Sequence, residues 1–170
     1  MRYLKGPFFL LFFIVFLYSA NNVEFNKITS QSGLSNNNVL EFFQDSRGYI
    51  WIGTQNGLNR YNGYNFTVFK NDVDDENSIS GNVIHSIYED SDGYIWIGTQ
   101  GAGLNRFNRS KNKFKSFRVK EDKNSLSHSE VRSIIEDSHG NIWIGTYGGG
   151  VNKYNKKTET FTHYNHIKND

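Results

Sequence analysis

One tetrapeptide, Trp-Ile-Gly-Thr, occurs three times in this chain, beginning at Trp51, Trp96 and Trp143, and it holds every tryptophan of the protein. The copies lie 45 and 47 residues apart. A period in this range is shared by all-β and by helical repeat arrays, so the residues inside the period must decide.

They decide for β structure. Val39–Gln44 is a short β-rich run, and Asp45-Ser46-Arg47-Gly48 a turn. Tyr49–Thr54 forms a second run, and Asn56-Gly57 is expected to close a type I′ hairpin with positive φ at both residues. Leu58–Tyr61 is a third run, Asn62-Gly63 a turn, and Phe66–Phe69 a fourth run. Four short strands joined by tight turns predict one antiparallel sheet. The pattern returns from Ile84 to Phe117 and from Val131 to Tyr164. A helical repeat would not carry so many glycines and β-branched runs. The expected fold is therefore all-β: three four-stranded β-propeller blades forming an incomplete, open arc of a larger propeller. The expected division is 34–78, 79–125 and 126–170 for the blades, after an N-terminal segment over 1–20 and an extra outer strand over 21–33.

Within the second strand, side chains alternate faces. Ile50 and Ile52 share one face, Trp51 and Gly53 the other. Both faces are apolar, as a blade sandwiched between neighbours requires. Trp51, Trp96 and Trp143 are accordingly assigned to packing, and Gly53, Gly98 and Gly145 to close approach of the next blade. The long polar linkers between units contain Ser78-Ile79-Ser80 and Ser125-Leu126-Ser127. Their single apolar residue is expected to anchor between blades.

The first twenty residues stand apart. Arg2 and Lys5 precede an apolar run from Phe8 to Tyr18, followed by Ser19 and Ala20. This is the layout of an export signal, too short to span a bilayer comfortably, with an uncleaved anchor as the alternative. A periplasmic or extracellular location is expected. The chain has no cysteine, which excludes disulfides and thiolate chemistry. A net charge of +2 without a basic block gives no reason to expect nucleic acid.

Phe25–Thr29 resembles the end of a repeat unit. A lone outer strand at the start of a ring can complete the last blade. Three blades do not close a ring of the usual four to eight, and the third already has Phe161–Tyr164 as its outer strand. Two explanations stay open, a chain cut short of further blades, which is preferred, or several copies assembling into one ring.

The segment Phe25 to Phe69 resembles the first blade of two-component regulator propellers. The stretches that carry the resemblance are Gly33-Leu34-Ser35-Asn36-Asn37, Gln44 to Thr54 and Gly57 to Tyr64. The motif Glu-Asp-Ser-x-Gly-x-Ile-Trp-Ile-Gly-Thr repeats it at Glu89–Thr99 and Glu136–Thr146. The resemblance implies the N-terminal periplasmic sensor region of a hybrid histidine kinase, whose kinase activity would lie outside this chain and whose ligands are often glycan fragments.

No catalytic residue, metal site or cofactor is expected. Asp45, Asp90 and Asp137 each stand three residues before a turn glycine, where Asp caps backbone amides. Asp72, Asp74, Asp75 and Glu76 lack the spacing of an EF-hand loop and suit a solvated loop. The five histidines lack metal-ligand spacing and are expected at the surface. Loops after strand two and before strand one should share one face of the ring. Those loops hold the candidate ligand-binding residues Asn36, Asn37, Gln55, Asn56, Gln100, His128 and Tyr147. Amides and an aromatic suit sugar hydroxyls and ring faces. The expected function is ligand sensing, with an oligosaccharide as ligand and the remaining blades or another copy of the chain as partner. The alternatives are a protein-interaction arc that oligomerises and a truncated propeller hydrolase or lyase.

Overall fold

The computed structural model describes residues 27–165 of the 170-residue chain. Twelve strands form three four-stranded antiparallel sheets, each in simple sequential order. Sheet 1 comprises β1 (Val39–Gln44), β2 (Ile50–Thr54), β3 (Gly57–Tyr61) and β4 (Phe66–Phe69). Sheet 2 comprises β5 (Ile84–Glu89), β6 (Ile95–Thr99), β7 (Leu104–Asn108) and β8 (Lys113–Phe117). Sheet 3 comprises β9 (Val131–Glu136), β10 (Ile142–Thr146), β11 (Gly150–Asn155) and β12 (Thr160–Tyr164). The inner strands β1, β5 and β9 contact one another in series, while the outer strands β4, β8 and β12 make no comparable contact among the described residues. The sheets therefore radiate like wedges, closest at their first strands.

Two apolar layers hold the stack together. Between sheets 1 and 2, Trp51 and Leu58 meet Ile84, Ile95, Ile97 and Phe107. Between sheets 2 and 3, Trp96 and Leu104 meet Val131, Ile142, Ile144 and Tyr154. Trp51 lies edge-on to Phe107 with ring centroids 5.5 Å apart, and Trp96 lies edge-on to Tyr154 at 5.2 Å. Among the described residues Trp143 faces only its own sheet, packing on Tyr164 at 5.3 Å. The linker residues Ile79 and Leu126 are buried in the first and second layers respectively. A long polar loop can run over the surface and still be pinned by one apolar side chain, because burying it removes its area from water.

The repeated glycine on β2 and β6 is imposed by this stacking. A Cβ at Gly53 would come within 2.8 Å of Ile84 Cγ2, and one at Gly98 within 2.6 Å of Val131 Cγ1 and closer still to Ser86 Oγ of its own sheet. At Gly145 the nearest atom is Ser133 Oγ of the same sheet.

Two features differ from the sequence reading. The first hairpin is not type I′. Its loop is Gln55-Asn56, Thr54 pairs with Gly57, and only Gly57 has positive φ (129°). The Thr54 hydroxyl accepts the Asn56 N–H at 3.1 Å and donates to the Gly57 carbonyl at 2.8 Å. A side chain thus bridges the loop, and neither loop residue needs a left-handed backbone. Of the extra outer strand expected over 21–33, residues 21–26 lie outside the described residues, and 27–33 contain no strand. Of its described portion, Thr29 is extended and caps a 3₁₀ turn, Ser30–Ser32. The segment over 1–20 also lies outside the described residues.

Candidate functional site

In each sheet the antiparallel pairing of the first two strands sets the loop before the first beside the loop after the second. Gln55 N–H donates to the Asn38 carbonyl, Gln100 N–H to Val83 and Tyr147 N–H to Glu130, at 3.1, 3.0 and 2.9 Å. Neighbouring sheets join on the same rim, where Gly57 N–H donates to Asn82 O and Gly103 N–H to Ser129 O.

The seven residues singled out from the sequence all lie along this rim. Asn36 and Asn37 spend their side-chain carbonyls on the backbone N–H groups of Asn38 and Ser30. Gln55 accepts from Asn38 Nδ2 at 2.9 Å. Asn56 is exposed at the hairpin tip, as is Gln100 after β6. His128 Nδ1 accepts the Glu130 N–H at 3.1 Å. Tyr147 is exposed, with the Arg132 guanidinium 5.5 Å from its ring centroid, and Arg132 pairs with Glu130. The rim thus presents amides, a phenol ring and one ion pair to solvent, a set suited to hydroxyl groups and sugar rings. Away from the rim, a groove of about 250 Å³ lies between the outer strands of sheets 2 and 3, beside Lys115, Arg118 and Glu159.

A bulge at the start of each inner strand leaves Leu40, His85 and Arg132 as the extra residue. Such bulges re-aim side chains. His85 is half-buried rather than a surface residue, and its Nε2 is buried without a hydrogen-bond partner among the described residues.

The aspartates are turn locks. Asp45 Oδ1 accepts the N–H groups of Arg47 and Tyr49, while Oδ2 takes the Trp51 indole N–H at 2.7 Å. Asp90 holds Asp92, Tyr94 and Trp96 in the same way, and Asp137 holds His139, Asn141 and Trp143. The indole bond of Trp143, followed by backbone hydrogen bonds, keeps the Asp137 carboxyl well below its usual range. In the acidic linker, Asp72 and Asp75 accept backbone N–H groups of Asp74 and Asn77, which is ordinary turn chemistry. No cluster with metal-ligand geometry occurs among the described residues.

A buried asparagine clasp escaped sequence reading. Asn59, Asn105 and Asn152 on the third strands are fully buried. Each accepts the backbone N–H and donates to the hydroxyl of Ser35, Ser80 or Ser127, tying the incoming linker to its own sheet. The available signal was the repeated Leu/Val-Asn-Arg/Lys after the hairpin, set against the Leu/Ile-Ser of the linker.

A second device crosses between sheets. Glu89 at the end of β5 accepts both the N–H (2.6 Å) and the hydroxyl (2.7 Å) of Ser46, and Glu136 at the end of β9 does the same for Ser91 at 2.7 and 2.8 Å. Arg109 bridges Glu89 at 2.8 Å and Asp45 at 3.0 Å. Lys156 bridges Glu136 at 2.7 Å, Asp92 at 2.8 Å and Asp90 at 3.3 Å. Burial pushes the two glutamates up, but the serine and cation contacts outweigh it and hold both below the ordinary value of 4.5.

The unfolded chain therefore binds more protons than the folded chain as pH falls past that value, so stability rises with pH through the acid range. The urea midpoint is expected to stay level above about pH 6 and to fall progressively between about pH 5 and pH 3. The double variant Glu89→Gln, Glu136→Gln should lose less over the same interval. Equal acid sensitivity in both proteins would count against the assignment.

Radiating four-stranded sheets locked by a repeated Asp–Trp bond define this chain as an array of β-propeller blades. Residues 33–56, 78–101 and 125–148 match the two component regulator propeller family. Each match runs from the linker through the first two strands, so each of the three sheets is built on a repeat of that family. It is similar, at 34% identity and a TM-score of 0.76 over 82% of its length, to the extracellular domain of a putative hybrid two component system from B. thetaiotaomicron. A second such domain from that organism matches at 26% identity and a TM-score of 0.65 over 76%. A histidine kinase from Formosa agariphila is 38% identical over 55 residues. The chain spans 20% and 19% of the two solved chains and 4% of the kinase.

Proposed function

We propose that this chain forms part of an extracytoplasmic sensor of a two-component system, and that the rim around Asn36, Asn37, Gln55, Asn56, Gln100, His128 and Tyr147 recognises a carbohydrate. The observation that carries the reading is the likeness, over four-fifths of the chain, to the extracellular domain of a hybrid two component system. The rim adds the chemistry, in outward amides and an exposed phenol. The reading is non-catalytic, since the carboxylates of the repeat are occupied in holding turns. The exported location follows from the layout of the first twenty residues, and no described helix is long and apolar enough to cross a membrane.

Amide hydrogen exchange of the full chain, with soluble oligosaccharides of neutral and uronic-acid types, tests this. Protection is expected in 36–38, 55–56, 100–102 and 147–149. Gln100→Ala and Tyr147→Ala should weaken it by about tenfold each, the scale of a contact residue worth over 1 kcal/mol. No protection at millimolar sugar, or protection confined to the outer groove near Lys115, would retire the carbohydrate reading.

A further inference from the structure

The clamp between sheets has two halves, and the two ends of the array carry different ones. A sheet's trailing side offers an Asp-Ser turn. The next sheet's leading side offers a glutamate at the end of its inner strand and a cation in the hairpin after its third strand. Asp45-Ser46 meets Glu89 and Arg109, and Asp90-Ser91 meets Glu136 and Lys156.

Sheet 3 repeats the offering half. Asp137-Ser138 forms the same turn, and Ser138 is exposed, its side chain bonding among the described residues only to the neighbouring His139 ring at 3.4 Å. The same side exposes Ile135 to 58%, although its counterpart Tyr88 packs into the second layer. Sheet 1 lacks the receiving half. Its inner strand ends in Gln44 where β5 and β9 end in glutamate. Its outer hairpin, between the paired residues Tyr61 and Phe66, is two residues shorter than those between Phe107 and Phe114 or Tyr154 and Phe161. Gly63 stands there in place of Arg109 or Lys156. Phe42 on that leading side is 63% exposed, where Ile87 and Ile134 are 6%. Both ends are thus apolar, and only one is prepared for a charged clamp.

We propose that the trailing side of sheet 3 docks a further sheet of the same repeat type, one with a carboxylate ending its inner strand and a cation in its outer hairpin, and that the leading side of sheet 1 in a second copy is not that partner. Apolar burial supplies attraction at either end, but the serine-carboxylate-cation contact selects which sheet follows which. The inference rests on the propeller fold and is independent of the carbohydrate reading.

The test extends the full chain after Asp170 with a second copy of residues 77–117, which continues the register of the linker between sheets 2 and 3. A matched protein carries Glu89→Gln and Arg109→Gly in the appended copy only. The amide of Ser138 is expected to exchange about tenfold or more slower in the first than in the unextended chain. Most of that slowing should be absent in the second. The Ser91 amide, inside the chain's own clamp, reports that the array is folded in every case. Equal protection in both extended proteins, or none in either while Ser91 stays protected, overturns the proposal. So does protection of Ser138 in the unextended chain that grows with protein concentration, which would make a second copy the partner.

Discussion

Trp96→Ala is expected to destabilise the array by about 3–5 kcal/mol, the range for truncating a large buried aromatic. That is a large share of the roughly 5–15 kcal/mol that holds an ordinary domain folded. Trp96 is fully buried between sheets 2 and 3, stacks on Phe117 and lies edge-on to Tyr154. Alanine would open a cavity there that sheets already locked by their clamps can close only in part. Trp143→Ala removes the same side chain from the same repeat position, but its outward face has no neighbouring sheet among the described residues. Its cost should be smaller by at least about 1 kcal/mol. Urea unfolding followed by far-ultraviolet circular dichroism measures both. Equal losses would mean that packing between sheets contributes little beyond packing within them.

Substituting Asp90 should rank next. Its carboxylate takes the buried indole N–H of Trp96 and two turn amides, and it lies 3.3 Å from Lys156. Asp90→Ala strands all of these at once. Leaving a buried donor unpaired costs about 1–3 kcal/mol, and breaking a buried ion pair about 3–5. A loss of about 3 kcal/mol is expected, since Lys156 retains Asp92 and Glu136. Asp90→Asn keeps the shape but can accept through one oxygen only, so it should recover part of the loss. Full recovery would show that charge plays no part. Asp137→Ala, where no cation partner stands among the described residues, should be milder than Asp90→Ala on the same assay.

The strands were legible because their signals are local. Val39–Gln44 and Phe66–Phe69 fall where alternation and turn residues place them, and so do the outer limits of the second and third sheets. The fate of Ile79 and Leu126 was legible too, since one apolar residue in a polar loop has few uses. The contacts that fix the order of the sheets were not. Ser46 and Glu89, which join two sheets, are 43 residues apart, Asn59 and Ser35, which tie a linker to its own sheet, are 24, and each pair looks like ordinary surface polarity until the chain is folded. The Gln55-Asn56 hairpin misled because Thr54 performs with its side chain what a type I′ backbone would otherwise do. The rim could be read from topology alone, because antiparallel pairing forces those loops together. Its depth could not, because cavities arise from how whole sheets splay.

Among the described residues only the middle sheet is covered on both sides. In a row where each element leans solely on its neighbours, loss of order begins at the flanks and travels inward. Amides of β7 should therefore be the last to yield as denaturant rises, and those of β3 and β11 should open earlier, so that the molecule comes apart like a zipper pulled from both ends.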